Sequence, residues 1–255
     1  MSQLWFHVPK PKVNPRLRLF CLSYAGGSST TYLQFADELP NDVELVAVQL
    51  PGRGMRLSEA PYTNLSQLVV DLSSQMKPLL KVPYVIMGHS FGSRLGYELV
   101  QYFRQQQWPL PIHFIASGSK APHYKNTDSP IHQLAEAAFI EKLRSFGGTP
   151  DEILNNADFM EMLLPMLRAD FAMVENHQSD IKPALDCGLS VFGGVNDEGV
   201  PQDKLLDWQL HFSGKVNEIM FDGGHFFIES HKSLVIKAVH EKLEALLVGQ
   251  DLNAA

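Results

Sequence analysis

Short, nearly continuous apolar runs alternate along this chain with longer segments in which apolar residues recur every three or four positions. The apolar runs are of strand length and have the character of strands buried on both faces of a sheet. They cover 16–23, 43–49, 84–87, 112–117, 189–193 and 218–221. The alternation predicts an α/β fold with a mostly parallel central sheet flanked by helices.

The helical segments between these runs carry their own boundary signals. Helices are predicted over 31–39 and from a cap at Asn64 to Leu80, where Pro78 shortens or kinks the second one. Two further helices show single apolar stripes, formed by Leu95, Leu99 and Phe103 in one and by Val235, Val239, Leu243 and Leu246 in the other.

The alternation stops between about 120 and 178. Helical patterns over 131–146 and 153–167 replace the strands, and a hinge-like Gly-Gly-Thr-Pro segment over 147–150 separates them. The second pattern is rich in methionine and leucine, which predicts an adaptable lid over an apolar acyl group. The alternative is an ordinary core helix.

Length, composition and net charge limit the classes of protein to which this chain can belong. The chain has 255 residues, 45% of them hydrophobic, which suits a single α/β domain over 1–255. A net charge of −7 without like-charge blocks argues against binding to nucleic acid or to an anionic membrane. Cys21 and Cys187 lie in apolar runs and are expected to be buried thiols. Neither a signal peptide nor a membrane span is evident, so we expect a cytoplasmic protein.

The run at 84–87 leads into Gly88-His89-Ser90-Phe91-Gly92 and then into a helix. A Gly-x-Ser-x-Gly motif between a strand and a helix is typical of a nucleophile elbow, which exposes the serine hydroxyl above the sheet. A chance match in a loop is the alternative. The strand before the motif and the helix after it favour Ser90 as a nucleophile.

A serine nucleophile needs a base, and the base needs an acid that orients it. His225 lies in a glycine-rich loop after the last predicted strand, whereas His211, His231 and His240 lie in predicted helices, where surface or capping histidines are usual. Asp197 follows the preceding strand and is the expected acid. The rival acids are Asp222, Glu198, Asp180 and Asp186.

Two backbone amides are predicted to stabilise the oxyanion. One belongs to Phe91, directly after the serine, and the other to Ala25, in the Tyr24-Ala25-Gly26-Gly27 turn after the first predicted strand. A plain strand-to-helix turn is the alternative at Ala25. No metal is required, because His225 and His231 lack a matching third ligand, and no cofactor is expected.

These motifs together resemble the type II thioesterases that accompany nonribosomal peptide and polyketide synthases, and also the medium-chain thioesterases of fatty acid synthesis. The resemblance covers nearly the whole chain. It rests on the elbow, on the Gly-His-Phe-Phe sequence at 224–227, and on 24–27, 49–54 with Arg56, 147–150, 164–165 and 168–171. The Pro-Gly-Arg-Gly element at 51–54 is far more specific than the elbow.

The resemblance implies an α/β-hydrolase fold, a Ser90, Asp197 and His225 triad, and a mobile helical lid. It also implies hydrolysis of wrong or stalled acyl groups from the phosphopantetheine arm of carrier proteins. Two positions depart from the family pattern: Asn196 replaces a frequent aspartate, and Phe91 replaces a frequent Met or Leu.

Other functions remain open at this stage. A carboxylesterase or lipase would use the same triad on oxygen esters, and a binding protein could use an inactive hydrolase scaffold. A product-releasing domain cut from a synthase is a further alternative. We expect a monomer. We also expect basic residues near the pocket mouth to receive an acidic carrier protein, or else to be a solvated scatter of charge: Arg53, Arg56, Lys120 and Lys125.

Overall fold

The computed structural model describes residues 4–125 and 129–254. Within these residues, seven strands form one sheet in the order β1-β3-β2-β4-β5-β6-β7. The strands are β1 Phe6–His7, β2 Leu17–Leu22, β3 Val43–Val48, β4 Tyr84–His89, β5 His113–Ser117, β6 Gly188–Gly194 and β7 Val216–Phe221. All neighbouring pairs are parallel except β1 with β3. The predicted strands are confirmed to within two residues at each end, and β1 is an addition at the edge.

Helices cover both faces of this sheet. They are α1 Phe35–Glu38, α2 Leu65–Met76, α3 Phe91–Gln105, α4 Glu136–Phe146, α5 Asp151–Leu154, α6 Ala157–Asn176, α7 Gln202–Leu206, α8 Phe227–Ser230 and α9 Lys232–Ala254. The side chain of Asn64 caps α2, and the chain continues as a 3₁₀ turn at Lys77–Leu79. The cap at Asn64 and the shortening at Pro78 are confirmed.

The apolar stripes fill two cores, one on each face of the sheet. Leu95, Leu99 and Phe103 of α3 belong to the core that α3 shares with α2. Val235, Val239 and Leu243 of α9 belong to the core on the opposite face. All residues of β3 and β4 are buried, because helices cover the sheet on both sides.

The helical insertion lies between β5 and β6, as the break in the alternation predicts. Its helices α4, α5 and α6 enclose a third, smaller core that includes Phe139, Leu143, Leu154 and Met160. The single helix predicted over 153–167 is divided in the structure, because its first residues belong to α5, and α6 begins at Ala157 and ends at Asn176, not at Leu167. Residues 126–128 of the predicted insertion lie outside the described residues.

Two further sequence predictions concern cysteine chemistry and membrane insertion. Cys21 and Cys187 are buried and free, and burial raises the pKa of both thiols. Across 4–125 and 129–254, no helix combines the length and the apolar character that crossing a membrane would need.

Candidate active site

Ser90 lies at the carboxyl end of the central strand β4, in a sharp turn before α3. Its backbone has φ 53° and ψ −113°, a conformation that costs a non-glycine residue about 1–3 kcal/mol. A Cβ atom on Gly92 would lie 2.1 Å from the Leu22 carbonyl oxygen, and one on Gly88 would lie 2.2 Å from Gly92. The two glycines therefore allow strand and helix to cross at backbone distance, as a nucleophile elbow requires.

The elbow is tied to the neighbouring strand β5. The Ser90 amide donates to the Ser117 carbonyl at 2.8 Å. The Ser93 hydroxyl lies 2.7 Å from the Gly88 carbonyl and 3.0 Å from that of Ser117. These bonds hold the strained turn in place.

The loops after β6 and β7 bring the other two predicted residues to Ser90. The Asn196 amide donates to the Gly223 carbonyl at 2.9 Å, so the two loops run side by side. A Cβ atom on Gly194 would lie 2.5 Å from the same Gly223 oxygen. Glycine at this position therefore permits the approach that places Asp197 beside His225.

Asp197, His225 and Ser90 form one hydrogen-bonded chain. Asp197 Oδ2 lies 2.7 Å from His225 Nδ1, and His225 Nε2 lies 3.0 Å from Ser90 Oγ. Asp197 Oδ1 accepts from the Gly199 amide at 3.0 Å, so both carboxylate oxygens are bonded. An ionised carboxylate can only accept, which puts the imidazole proton on Nδ1 and leaves Nε2 free to accept from the serine hydroxyl.

His89, inside the elbow, supports the histidine loop. Its Nε2 lies 2.9 Å from the His225 carbonyl oxygen and its Nδ1 lies 2.9 Å from the Ser117 hydroxyl. Burial, with a smaller effect from the neighbouring His225, lowers the pKa of His89 well below its usual value. The ring is therefore neutral, and because a carbonyl can only accept, Nε2 donates to His225 and Nδ1 accepts from Ser117.

The Tyr24-Ala25-Gly26-Gly27 segment is a tight turn beside the elbow. The Gly27 amide donates to the Tyr24 carbonyl at 2.8 Å, and Gly26 has φ +80°, which identifies a type II turn with Ala25 at its first central position. Gly92 touches the carbonyl oxygens of Leu22 and Ser23 just before this turn. Of the two predicted oxyanion donors, Phe91 therefore lies in the first turn of α3, and Ala25 lies in the turn after β2, two residues beyond the backbone that Gly92 approaches.

Asp222, a rival acid, and the other candidate histidines contact groups outside the chain of hydrogen bonds from Asp197 to Ser90. Asp222 Oδ1 lies 3.4 Å from the Asn196 side-chain amide. His231 contacts the Ser230 hydroxyl, and His240 contacts the Glu38 carbonyl at the end of α1. His211 is the exception to the expected surface position, because it is buried and its ring nitrogens contact the Tyr97 hydroxyl and His123.

The prediction that Arg53 and Arg56 receive a carrier protein at the surface is wrong. Both side chains are about 5% exposed. Arg53 makes a two-pronged ion pair with Asp170 of α6, at 2.6 and 2.8 Å. Arg56 pairs with Glu59 and lies over the Trp5 ring. Their guanidinium groups therefore bind this chain's own groups and are not available to a partner.

The helical insertion contacts the candidate site at two places, through the loop between α4 and α5 and through helix α6. A Cβ atom on Gly148, in the loop between α4 and α5, would lie 2.2 Å from the ring of Phe226, directly after His225. The Phe226 ring in turn packs edge-on against Tyr24 and His225, with ring centroids 5.1 Å apart in each case. At the second place, Leu167 of α6 packs on Gly26. The insertion thus covers the loops that surround Ser90.

The sequence analysis gave Asp170 no role, although this residue lies in the 168–171 motif. Its carboxylate is completely buried and also accepts from the Gly26 amide at 2.8 Å. A signal was present, because an aspartate at this position interrupts an otherwise apolar face: Met166, Leu167 and Met173, at helical spacing from it, are all buried. Such a residue needs a buried partner, which the pattern alone does not name.

Across the part of the chain that the structure describes, no group of three or more His, Cys, Asp or Glu side chains is arranged to hold a metal ion.

Comparisons with known proteins agree with this geometry. A family model described as a thioesterase domain matches residues 17–243. The gramicidin S biosynthesis protein GrsT of Aneurinibacillus migulanus is 35% identical over 95% of both chains. ClbQ from the colibactin NRPS/PKS pathway superposes with a TM-score of 0.86 at 29% identity, over 91% of this chain and 99% of its own. The type II thioesterase BorB from the borrelidin biosynthetic cluster gives 0.85 at 28% identity, over 94% and 98%.

The family model spans most of the chain, and the solved structures share its sheet and flanking helices. The resemblance to type II thioesterases that the motifs indicated is therefore confirmed, as is the α/β-hydrolase architecture. The chain belongs to the thioesterase family and is a thioesterase.

Proposed function

We propose that this thioesterase uses Ser90 as nucleophile, His225 as general base and Asp197 as the acid that orients the imidazole. Its proposed substrates are acyl groups on the phosphopantetheine arm of carrier proteins, from which it removes aberrant or stalled chains. The observation that carries the catalytic assignment is the hydrogen-bonded chain from Asp197 through His225 to Ser90, at 2.7 and 3.0 Å.

The proposed reaction has two half-reactions. Ser90 Oγ attacks the thioester carbonyl while His225 Nε2 takes the hydroxyl proton, and the imidazolium then protonates the leaving thiolate as the C–S bond breaks. Water, deprotonated by the same nitrogen, then attacks the acyl carbonyl. The bond between the acyl group and Ser90 Oγ breaks, the carboxylic acid leaves, and the imidazolium returns its proton to Oγ. The amides of Ala25 and Phe91 would donate to the oxyanion in both steps. This chemistry needs no metal ion and no cofactor.

The proposed substrate class is supported by the biosynthetic setting of the relatives. GrsT belongs to gramicidin S biosynthesis, ClbQ to an NRPS/PKS pathway, and BorB to a biosynthetic cluster. Pathways of these classes carry their intermediates as thioesters on carrier proteins. Of the four basic residues predicted to receive such a partner, Lys125 is exposed and Lys120 is half-buried, so these two remain candidates for docking.

The test is hydrolysis of a panel of acyl-phosphopantetheinyl carrier proteins, from acetyl to long-chain and aminoacyl, by the wild type and by Ser90→Ala. Ser233→Ala, at an exposed position in α9, is the matched control. We expect release from several carriers by the wild type and by the control, and none above background with Ser90→Ala. Hydrolysis of oxygen esters without any release from carriers would instead identify a carboxylesterase and contradict the proposal.

A further inference from the structure

The buried carboxylate of Asp170 joins three segments around the candidate site. Oδ2 accepts from the Gly26 amide at 2.8 Å and from Arg53 Nη1 at 2.6 Å, and Oδ1 accepts from Arg53 Nη2 at 2.8 Å. The carboxylate is therefore shared between the turn after β2, the loop after β3, and helix α6. We call this set of contacts the Asp170 bridge.

Arg53 extends the bridge to the backbone of both loops. Its Nη1 also donates to the Gly27 carbonyl at 3.2 Å, and its Nε donates to the Pro51 carbonyl at 3.3 Å. The neighbouring Gln49 side chain accepts from the Ser29 amide at 3.2 Å and donates to the Arg53 carbonyl at 2.9 Å. Both loops are thus fixed to each other by buried polar groups.

The bridge fixes the orientation of a peptide plane beside the predicted oxyanion donor. In a type II turn the central peptide can flip, with modest changes elsewhere, to the type I arrangement. Here that peptide joins Ala25 to Gly26, and its N–H is held by Asp170. The preceding peptide is fixed as well, because the Tyr24 carbonyl accepts from the Gly27 amide. Since C=O and N–H of a trans peptide point in opposite directions, the Ala25 N–H is directed out of the turn.

We propose that Asp170, through its bonds to Gly26 and Arg53, is a positioning residue that sets the Ala25 amide for oxyanion stabilisation. The inference rests on the proposed serine mechanism. It adds to the proposed catalytic residues a further residue, Asp170, that contacts neither the nucleophile nor the imidazole. The positioning role requires that the Ala25 amide be oriented before the substrate binds, because preorganised donors stabilise the transition state without reorganisation.

The first experiment compares Asp170→Asn with Glu44→Gln. Glu44 is also a buried carboxylate in an ion pair, with Arg18 at 2.7 Å, but Glu44 lies near the start of β3 and Arg18 near the start of β2, at the opposite end of the strands from Ser90. On a hexanoyl N-acetylcysteamine thioester, we expect Asp170→Asn to lower kcat by roughly ten- to a hundredfold, with KM within about threefold. The pH profile of kcat/KM should keep its midpoint, because the Asp197–His225 pair is untouched. Glu44→Gln should retain kcat within about twofold.

A second readout addresses the oxyanion directly. Hexyl trifluoromethyl ketone adds to a serine hydroxyl and forms a tetrahedral hemiketal whose oxygen takes the oxyanion position. Its inhibition constant should rise in Asp170→Asn by the same factor by which kcat falls, because both depend on the same donor. A variant with a merely altered substrate pocket would instead show a raised KM and an unchanged kcat, and that result would overturn the proposal.

Two further measurements keep the proposal testable if Asp170→Asn does not fold. The double variant Arg53→Met with Asp170→Leu removes both charges together, which folded proteins commonly tolerate, yet leaves the Gly26 amide without its acceptor. It should show the same loss of kcat. In the wild type, the Gly26 amide should exchange with deuterium as slowly as sheet amides such as that of Cys21. Exchange at the rate of an exposed loop would overturn the proposal without any variant.

Failure of this inference is distinguishable from failure of the proposed function. If Ser90→Ala kept wild-type turnover, the serine mechanism itself would be wrong. If Ser90→Ala were inactive while Asp170→Asn and the double variant kept wild-type kcat, only the positioning role of Asp170 would be refuted.

Discussion

At the scale of single residues, the identity of the acid decides how the imidazole is held. An Asn at position 197 would present an amide N–H toward His225 Nδ1, which favours the tautomer whose Nε2 carries the proton and cannot accept from Ser90. We predict that Asp197→Asn lowers kcat by roughly ten-thousandfold while the fold is retained. Turnover of a thioester substrate, with circular dichroism as the check on folding, measures this.

The rival acid Asp222 supplies the matched control. It lies in the histidine loop, and its carboxylate is 3.4 Å from the Asn196 side chain. Asp222→Asn should change kcat by no more than a few fold. A small loss in Asp197→Asn, or a large loss in Asp222→Asn, would assign the orienting role to another acid.

The sequence indicates some site residues and misassigns others for a physical reason. Ser90, Asp197 and His225 each follow a recognisable strand, and parallel strands bring their carboxyl ends to one edge of the sheet. Arg53, by contrast, sits in a polar loop that looks exposed. Its partner Asp170 is 117 residues away, and nothing local to position 53 shows that helix α6 covers the loop.

At the scale of elements, the strands were more predictable than the irregular segments. The strands β2 to β6 are mostly buried apolar runs between turn signals, and β7 is a partly exposed one. By contrast, β1 has only two residues and pairs at the edge, so it leaves no pattern. The predicted helix at 31–39 is divided into a 3₁₀ turn at Ser29–Tyr32 and the short helix α1. Helix α6 continues through Pro165 to Asn176, and its later turns carry the buried residues Asp170, which accepts from the Gly26 amide, and Met173.

The contact between the helical insertion and the histidine loop is a second element-scale feature with a testable consequence. A Cβ atom on Gly148 would lie 2.2 Å from the Phe226 ring. Such overpacking costs about 1–3 kcal/mol, so Gly148→Ala should shift the equilibrium of the helical insertion away from this contact by roughly five- to 150-fold. We predict altered kcat/KM on acyl thioesters and faster proteolysis of the 147–150 loop.

The neighbouring residue Gly147 provides the control for the prediction about Gly148→Ala. Gly147 has φ +70°, and a Cβ atom added to it would meet no atom within 4 Å. Gly147→Asn therefore changes the same loop without a clash. Asparagine also tolerates this left-handed backbone conformation. Its kinetics should match the wild type. Replacing Phe226 by Leu in the Gly148→Ala background should restore the contact in part. If Gly148→Ala behaved as the wild type, the insertion would not need this contact to cover the site.

At the scale of the whole molecule, buried neutral histidines link stability to pH. Burial lowers the pKa of His89 well below its usual value, and burial also lowers those of His113 and His211 to about 4. The unfolded chain binds protons on these rings near pH 6.5. Stability is therefore full above pH 6.5 and is lost as the pH falls toward 4, because the unfolded state then holds more protons than the folded state.

His113 allows this linkage to be measured away from the candidate site. It is buried on β5, with Nε2 2.8 Å from the Ser190 hydroxyl, and a Cβ atom on Gly188 would lie 2.2 Å from its ring. A folded pKa of about 4 implies that this residue alone removes about 2 kcal/mol from the free energy of unfolding between pH 7.5 and pH 5. Urea unfolding across that range should show a shallower pH dependence in His113→Gln than in the wild type, with His7→Gln as the control for loss of an exposed imidazole. An unchanged pH dependence in His113→Gln would mean that this ring is already protonated in the folded protein at pH 5.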